Sequence, residues 1–390
     1  MIRIGLSSLQ SRLAAADNRP SGFDYMRLIL ATLVVATHAT NVCYGMKYTL
    51  DVWAGPWRML LAIILPMFFA LSGFLVAGSL QRCRSLISFL GLRTIRLLPA
   101  LAVDTLVGAL IIGPLFTAMP LADYFSDPTF AAYFLNIVGD IHYTLPGVFA
   151  ENPWPHAVNQ QLGTLPFEMI CYASLAGLAF VGAIRHRKFY WPFVVTLNIF
   201  LFVYFTLIKG AVHGSTVSFP TLVQCFLYGI GLYLYRDKIA WSPVLGALSL
   251  IATLACLTVP SGDYLAPLPA AYFTAYLGLM QPKRIRLIST GDYSYGIFLY
   301  GFPVQQAVVA VMGSAGTVWY ANLLFSFPIT FCLAVFSWWC VEKPALSFKS
   351  HLLRLEERVL NLSALVPGGR YLFPPIMNTP LPPNDNAATR

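Results

Sequence analysis

An arginine and a histidine stand eleven positions apart in the first apolar run of this chain, Phe23-Asp24-Tyr25-Met26-Arg27 and then His38. In a helix that spacing returns both side chains to within ~20° of one face, ~16 Å apart along the axis. Ionisable groups inside a membrane span are costly and mark functional positions by default. An imidazole can take a proton from a hydroxyl, and a guanidinium offers forked donors to phosphate or carboxylate. Asp24, one turn before Arg27, is expected to pair with it. Taken alone, the two residues have a plainer reading, Arg27 as a headgroup anchor and His38 as a bond to a neighbouring helix.

Two further groups bear on that choice. Asn159-Gln160-Gln161-Leu162-Gly163-Thr164-Leu165-Pro166-Phe167-Glu168 leads into another apolar run. With a run that starts at the outer boundary, Glu168 lies ~6 Å inside it and His38 falls at a similar depth. A carboxylate and an imidazole at one level are expected to form a general-base pair, Glu168 orienting His38 or touching an acceptor. The plainer alternative is an acid facing the outer headgroups. The third group is Arg82, Arg84, Arg93 and Arg96 before Pro99. Arg93 and Arg96 share a helix face and could hold phosphates or anionic lipid heads, although orienting the chain would account for them equally. Asp104 is another acid in an apolar run, with no position relative to His38.

The elements that must hold these groups follow from composition. Of 390 residues, 57% are hydrophobic and only 11% charged, where soluble chains carry about 25% charge. A soluble fold cannot bury so much apolar surface, and a disordered chain has the opposite balance. The net charge of +9 is too dispersed for a phosphate-binding face on nucleic acid. The seven cysteines form no CxxC pair and no metal spacing, and read as small core residues. The fold class is therefore all-α, a polytopic membrane protein.

Ten apolar stretches can cross a hydrocarbon core of ~30 Å: 23–44, 56–80, 97–118, 164–184, 189–208, 217–235, 243–260, 263–281, 291–312 and 318–340. They divide the chain into a cytoplasmic lead-in (1–22), a ten-span domain (23–342) and a cytoplasmic tail (343–390) with a charged start and a Pro- and Asn-rich, disordered end. All but three of the 25 Lys and Arg residues fall in the lead-in, at Arg27 near the inner end of the first span, in the even-numbered loops or in the tail; Lys47, Arg58 and Lys209 are the exceptions. That asymmetry supports ten spans with both termini cytoplasmic. The longest outer connection, 119–163, carries Asp123, Asp127, Asp140, Glu151, His142 and His156 and no Lys or Arg. Its apolar patch 130–138 is too short to span and is expected to be re-entrant or interfacial. Loops this long in a compact fold are usually functional.

Six motifs now stand in order: Asp24…Arg27-x10-His38; Phe68-Phe69-Ala70-Leu71-Ser72-Gly73-Phe74; Arg93-x-x-Arg96-x-x-Pro99; the 159–168 run; Ser294-Tyr295-Gly296-Ile297-Phe298-Leu299-Tyr300; and Glu342-Lys343-Pro344. Over roughly residues 20–346 the chain resembles acyltransferase family 3, integral-membrane enzymes that O-acylate bacterial surface polysaccharides and related glycans. It departs at Gly163, where a Trp is common, and at Gly301, where many members carry a His. The resemblance implies an acyl-CoA co-substrate, most often acetyl-CoA, reaching the site from the cytoplasm, and no metal. It implies His38 as base with Arg27 and Glu168 at the catalytic site. Arg93, Arg96, Ser72 and Gly73 are implied for the cofactor arm and its phosphates, and Asn159, Thr164 and Tyr295 for the acceptor. The expected partners are membrane lipids and a glycan or lipid-linked glycan acceptor, with no nucleic acid. The expected site is the bacterial cytoplasmic membrane. The ~45 residues after the last span are too few for a fused domain, so any outer-face transferase partner is expected as a separate protein. Two other classes compete: a proton-coupled transporter using Arg27, His38 and Glu168, and a non-catalytic assembly subunit.

Overall fold

The computed structural model describes residues 7–83, 85–182, 184, 187–210 and 216–364. Arg3, Arg84, Arg185 and the tail beyond residue 364 lie outside the described residues. Ten helices follow the ten expected stretches: α1 (Ser21–Ala54), α2 (Ile64–Arg82), α3 (Leu86–Val107), α4 (Leu165–Phe180), α5 (Arg187–Val203), α6 (Phe219–Leu234), α7 (Pro243–Thr258), α8 (Pro267–Gly278), α9 (Ser294–Met312) and α10 (Trp319–Ser337). Among the described residues there is no strand, only three isolated bridges. Among the described residues, seven helical runs are long and apolar enough to cross a membrane. The chain is an all-α polytopic membrane protein.

The other three expected spans are real helices of reduced length. α6 and α7 have 16 residues each and α8 has 12, or ~24, ~24 and ~18 Å of axis. Shortness suits α6 because it is packed inside the bundle, buried from Leu222 to Leu234 apart from Val223. Its partner is α2, and glycines set the approach. A Cβ on Gly73 would lie 2.1 Å from the Phe226 carbonyl oxygen, and one on Gly229 would lie 2.2 Å from that of Ala70. Such small-residue contacts let membrane helices meet backbone to backbone.

At 34 residues, α1 is ~51 Å long, well beyond a hydrocarbon core. It kinks at Gly45, whose φ is +76°. α3 continues through a π turn (Gly108–Ile112) to Phe116, and α10 through another (Trp338–Glu342) toward Ser347. π turns inside helices often lie at functional sites, and the second carries Glu342 back into the bundle, buried.

The 119–163 connection is folded. It holds helices Leu121–Ser126 and Pro128–Tyr133 and 3-10 turns Phe134–Val138 and Gln160–Thr164. Tyr124, Tyr133, Leu145, Val148, Phe149 and Val158 form its own core, and the Tyr124 hydroxyl donates to the Ala109 carbonyl on α3 at 2.7 Å. The apolar patch 130–138 therefore packs onto α3. Within the lead-in, helix Leu9–Ala14, capped by Ser8, buries Leu9 and Leu13, and the Trp241 backbone N–H donates to the Ser7 carbonyl just before it.

Candidate active site

Arg27, Arg93 and Arg96 converge on one cavity of about 110 Å³ between α1, α2, α3, α4 and α9. The three guanidiniums make this end of the bundle its arginine side. Ser72, Thr164, Glu168, Tyr172, Asp292, Ser294 and Tyr295 supply its other polar walls. The second stripe residue of α1, His38, lines a different cavity of about 480 Å³ on the opposite side. With it stand Asn41, Thr49, Tyr143, Trp154, Gln160, Gln161 and Gly163. Val34, Leu65, Thr164 and Phe298 line both spaces. These four shared residues are the neck that separates the two cavities, with guanidiniums on one side and an imidazole on the other.

Asp292, in the turn before α9, organises the arginine side. It accepts from Arg27 Nη1 at 3.1 Å and from Arg96 Nη2 at 2.5 Å, and from the Ser294 hydroxyl at 2.5 Å. Burial opposes the Asp292 charge, yet Arg96, Arg27 and the Ser294 hydroxyl and amide outweigh it and hold the carboxyl below the usual carboxylate range. Arg96 also reaches Glu342 at 3.7 Å, which the π turn in α10 places there. Arg93 donates to the Ser79 hydroxyl at 3.0 Å and lies 5.9 Å from the Tyr172 ring centre; its buried Nε has no partner. The Tyr172 hydroxyl donates to Glu168 and lies 3.5 Å from the Ser72 hydroxyl.

Several expected placements change. Arg27 pairs with Asp292 rather than Asp24, which faces Arg284 at 3.4 Å. Three residues on one helix differ by ~60° in direction, so Arg27 points inward while Asp24 meets the 281–286 loop. Glu168 and His38 do not form a pair. The Gln160–Thr164 turn is drawn into the bundle, with Gln161 Nε2 donating to the Leu299 carbonyl at 2.5 Å. α4 therefore starts within the bundle, with Gln161 and Leu162 buried just before it, and Glu168 arrives on the arginine side with Tyr172. Of the small pair on α2, Ser72 lines the cavity, whereas Gly73 is closed off against α6. Asn159 lines neither cavity; it is fully buried, donating to Asp104 at 2.8 Å and to the Tyr133 hydroxyl at 2.6 Å. Asp104 belongs to that cluster.

Thr164 stands at the neck, and Tyr295 lines the arginine side with its hydroxyl donating to the Leu97 carbonyl at 3.0 Å. His38 meets Phe302 edge to face at 5.4 Å. At the two departures from the family pattern, neighbours occupy the space. A Cβ on Gly163 would lie 2.8 Å from the Tyr143 hydroxyl, and one on Gly301 would lie 2.6 Å from Val35 Cγ2. A histidine at 301 does not fit while α9 lies this close to α1. Sequence reasoning missed Asp292, Tyr172, Tyr143 and Trp154. For Asp292 the signal was present, a charge two residues before the Ser294 motif.

The large cavity suits a polar ligand with apolar faces, because aromatic walls alternate with amides and hydroxyls. The arginine side suits a polyanion. The two kinds of lining thus stand on opposite sides of the four shared residues.

Residues 21–342 match a family described as an acyltransferase domain; the match runs from the first residue of α1 to Glu342 beside Arg96. An "O-acetyl transferase" of Shigella phage Sf6 is 27% identical over 355 residues, 86% of this chain and 98% of the phage protein. "Nodulation protein 10" of Rhizobium leguminosarum bv. viciae is 26% identical over 365 residues, 85% of this chain and 95% of that protein. No solved structure gives a significant match.

Proposed function

Because this chain belongs to the acyltransferase family, and is an O-acyltransferase carried on membrane helices, we propose that it moves an acetyl group from acetyl-CoA to a glycan hydroxyl. The observation that carries the proposal is the division of one α1 stripe, Arg27 in the small cavity and His38 in the large one, across a common neck. Under this reading the arginine side faces the cytoplasm of a bacterial inner membrane, in keeping with the basic loops. Arg27, Arg93 and Arg96 hold the CoA phosphates as charge-assisted, forked donors. The unpartnered Nε of Arg93 is a donor in reserve for such an anion.

The pantetheine arm then runs along Ser72 toward the neck. An acceptor hydroxyl enters the large cavity, among Tyr143, Trp154 and Gln161, and gives its proton to His38 as its oxygen attacks the thioester carbon. The C–O bond forms and the C–S bond breaks, and the proton held by His38 passes to the departing sulfur, so that CoA leaves as its thiol and the imidazole returns to its neutral form. Glu168 acts from the donor side, where it fixes the Tyr172 hydroxyl. The acceptor is a surface polysaccharide or a lipid-linked precursor of one. The name of the phage relative, an O-acetyl transferase, supports the acetyl group.

The test is direct. Surface glycans extracted from strains with and without the gene should differ by O-acetyl signals in their NMR spectra. Identical spectra would exclude a surface glycan acceptor. In membranes, Arg93→Ala with Arg96→Ala should raise the apparent KM for acetyl-CoA at least tenfold. An unchanged KM would leave those arginines as anchors of orientation.

A further inference from the structure

We propose that the neck between the two cavities measures the acyl group, with Phe298, Val34 and Leu65 limiting the donor to acetyl size. The inference deepens the acyl-CoA reading above and rests on it.

Four residues from four elements line both cavities: Val34 on α1, Leu65 on α2, Thr164 in the turn before α4, and Phe298 on α9. Three are bulky and apolar; Thr164 has the one hydroxyl among them. Val34 lies on the Arg27–His38 stripe, one turn (~6 Å) before His38. The acceptor oxygen and the thioester carbon must come together, and the base for that oxygen stands just beyond the neck. The thioester carbonyl therefore sits at the level of Val34 when transfer occurs, with its substituent against the three apolar side chains.

These walls cannot easily yield. Val34 is buried within the principal core cluster, and Leu65 packs against that cluster. Phe298 packs against two clusters at once. Interiors are close-packed, so a substituent longer than methyl must displace a fixed side chain or protrude into the space the acceptor needs. One methylene in an apolar pocket is generally worth about 10–200-fold in discrimination.

The experiment compares labelled acetyl-, propionyl- and butyryl-CoA as donors. It uses membrane vesicles from the organism carrying the gene and follows label entering the extracted glycan at matched protein level. Wild type should prefer acetyl to butyryl by at least tenfold. Phe298→Ala should cut that preference at least tenfold, and Val34→Ala in the same direction by less. If Phe298→Ala is not produced, Phe298→Leu and Val34→Ala decide by the same criterion. Variants that transfer acetyl with the wild-type chain-length profile would overturn the neck as gauge and leave the acyl-CoA reading intact, as would a wild type that uses all three donors equally. A wild type that transfers label from none of them refutes the acyl-CoA reading, and the gauge falls with it.

Discussion

Replacing Asp292 by Asn probes how the arginine side is assembled. The side chain keeps its size and can still accept from Ser294, but the charge between Arg27 and Arg96 disappears. At an effective dielectric near 20, charges ~4 Å apart attract by ~4 kcal/mol before desolvation. The groups are neither surface nor core: Arg27, Arg96 and Asp292 are 33%, 22% and 24% exposed. Exposed pairs contribute ~0–1 kcal/mol, and breaking a buried one costs ~3–5 kcal/mol, so about 2 kcal/mol is expected here. Two unneutralised guanidiniums then repel, and no longer point at one place. If about 1.4 kcal/mol of that loss reaches the donor complex, the apparent KM for acetyl-CoA rises about tenfold. The proposed acceptor site lies across the neck and keeps its own residues, so kcat should stay within about threefold. The assay is initial-rate acetyl transfer in vesicles, with acetyl-CoA varied at saturating acceptor. A KM that stays within twofold, or falls, would refute the reasoning and make Asp292 a competitor of the phosphates instead.

Three other outcomes follow from the same geometry. Because its arginine partners depress the Asp292 carboxyl despite burial, its contribution is fully present above the unfolded carboxylate range and is lost only as pH falls through the lower folded value. The ratio of Asp292→Asn to wild-type KM should therefore be flat from about pH 5.5 to 8, measured as a pH series of the same assay. Gly73→Ala places a methyl 2.1 Å from the Phe226 carbonyl oxygen, so α2 and α6 must separate; a loss of about 1–3 kcal/mol should appear as a lower melting temperature in detergent, with donor KM unchanged in the folded fraction. Asn159→Ala leaves Asp104 and the Tyr133 hydroxyl without their buried donor, at a cost of about 1–3 kcal/mol. It should likewise lower thermal stability and spare the KM for acetyl-CoA.

Helical period and hydropathy are properties of one segment, and what they govern was legible. The positions of all ten helices, the shared face of Arg27 and His38, and the basic cluster at 93–96 follow from them. What period does not encode is which distant surface meets a face. The partner of Arg27 lies 265 positions away at Asp292. Gly73, implied by the resemblance for the cofactor arm, is instead closed off by the Phe226 backbone of α6. Counting residues from the start of an apolar run puts Glu168 level with His38, but the Gln160–Thr164 turn, with Gln161 and Leu162 buried, carries Glu168 to the other cavity. Asn159 lay in a motif beside cavity residues, but a tight turn sends neighbouring side chains in different directions. Its own faces Asp104. The three short helices show the same limit, since hydropathy marks a segment as buried without separating lipid from protein as its surroundings.

The account stands on transfer across the neck with His38 as the base. Its most direct test is acetyl transfer from acetyl-CoA to membrane glycan in vesicles carrying His38→Ala at matched protein level, together with acetyl-CoA affinity. General-base removal typically costs about 10²–10⁴-fold. A fall of at least a hundredfold in transfer, with affinity within about twofold of wild type, is the predicted result. Transfer within a few-fold of wild type would contradict it.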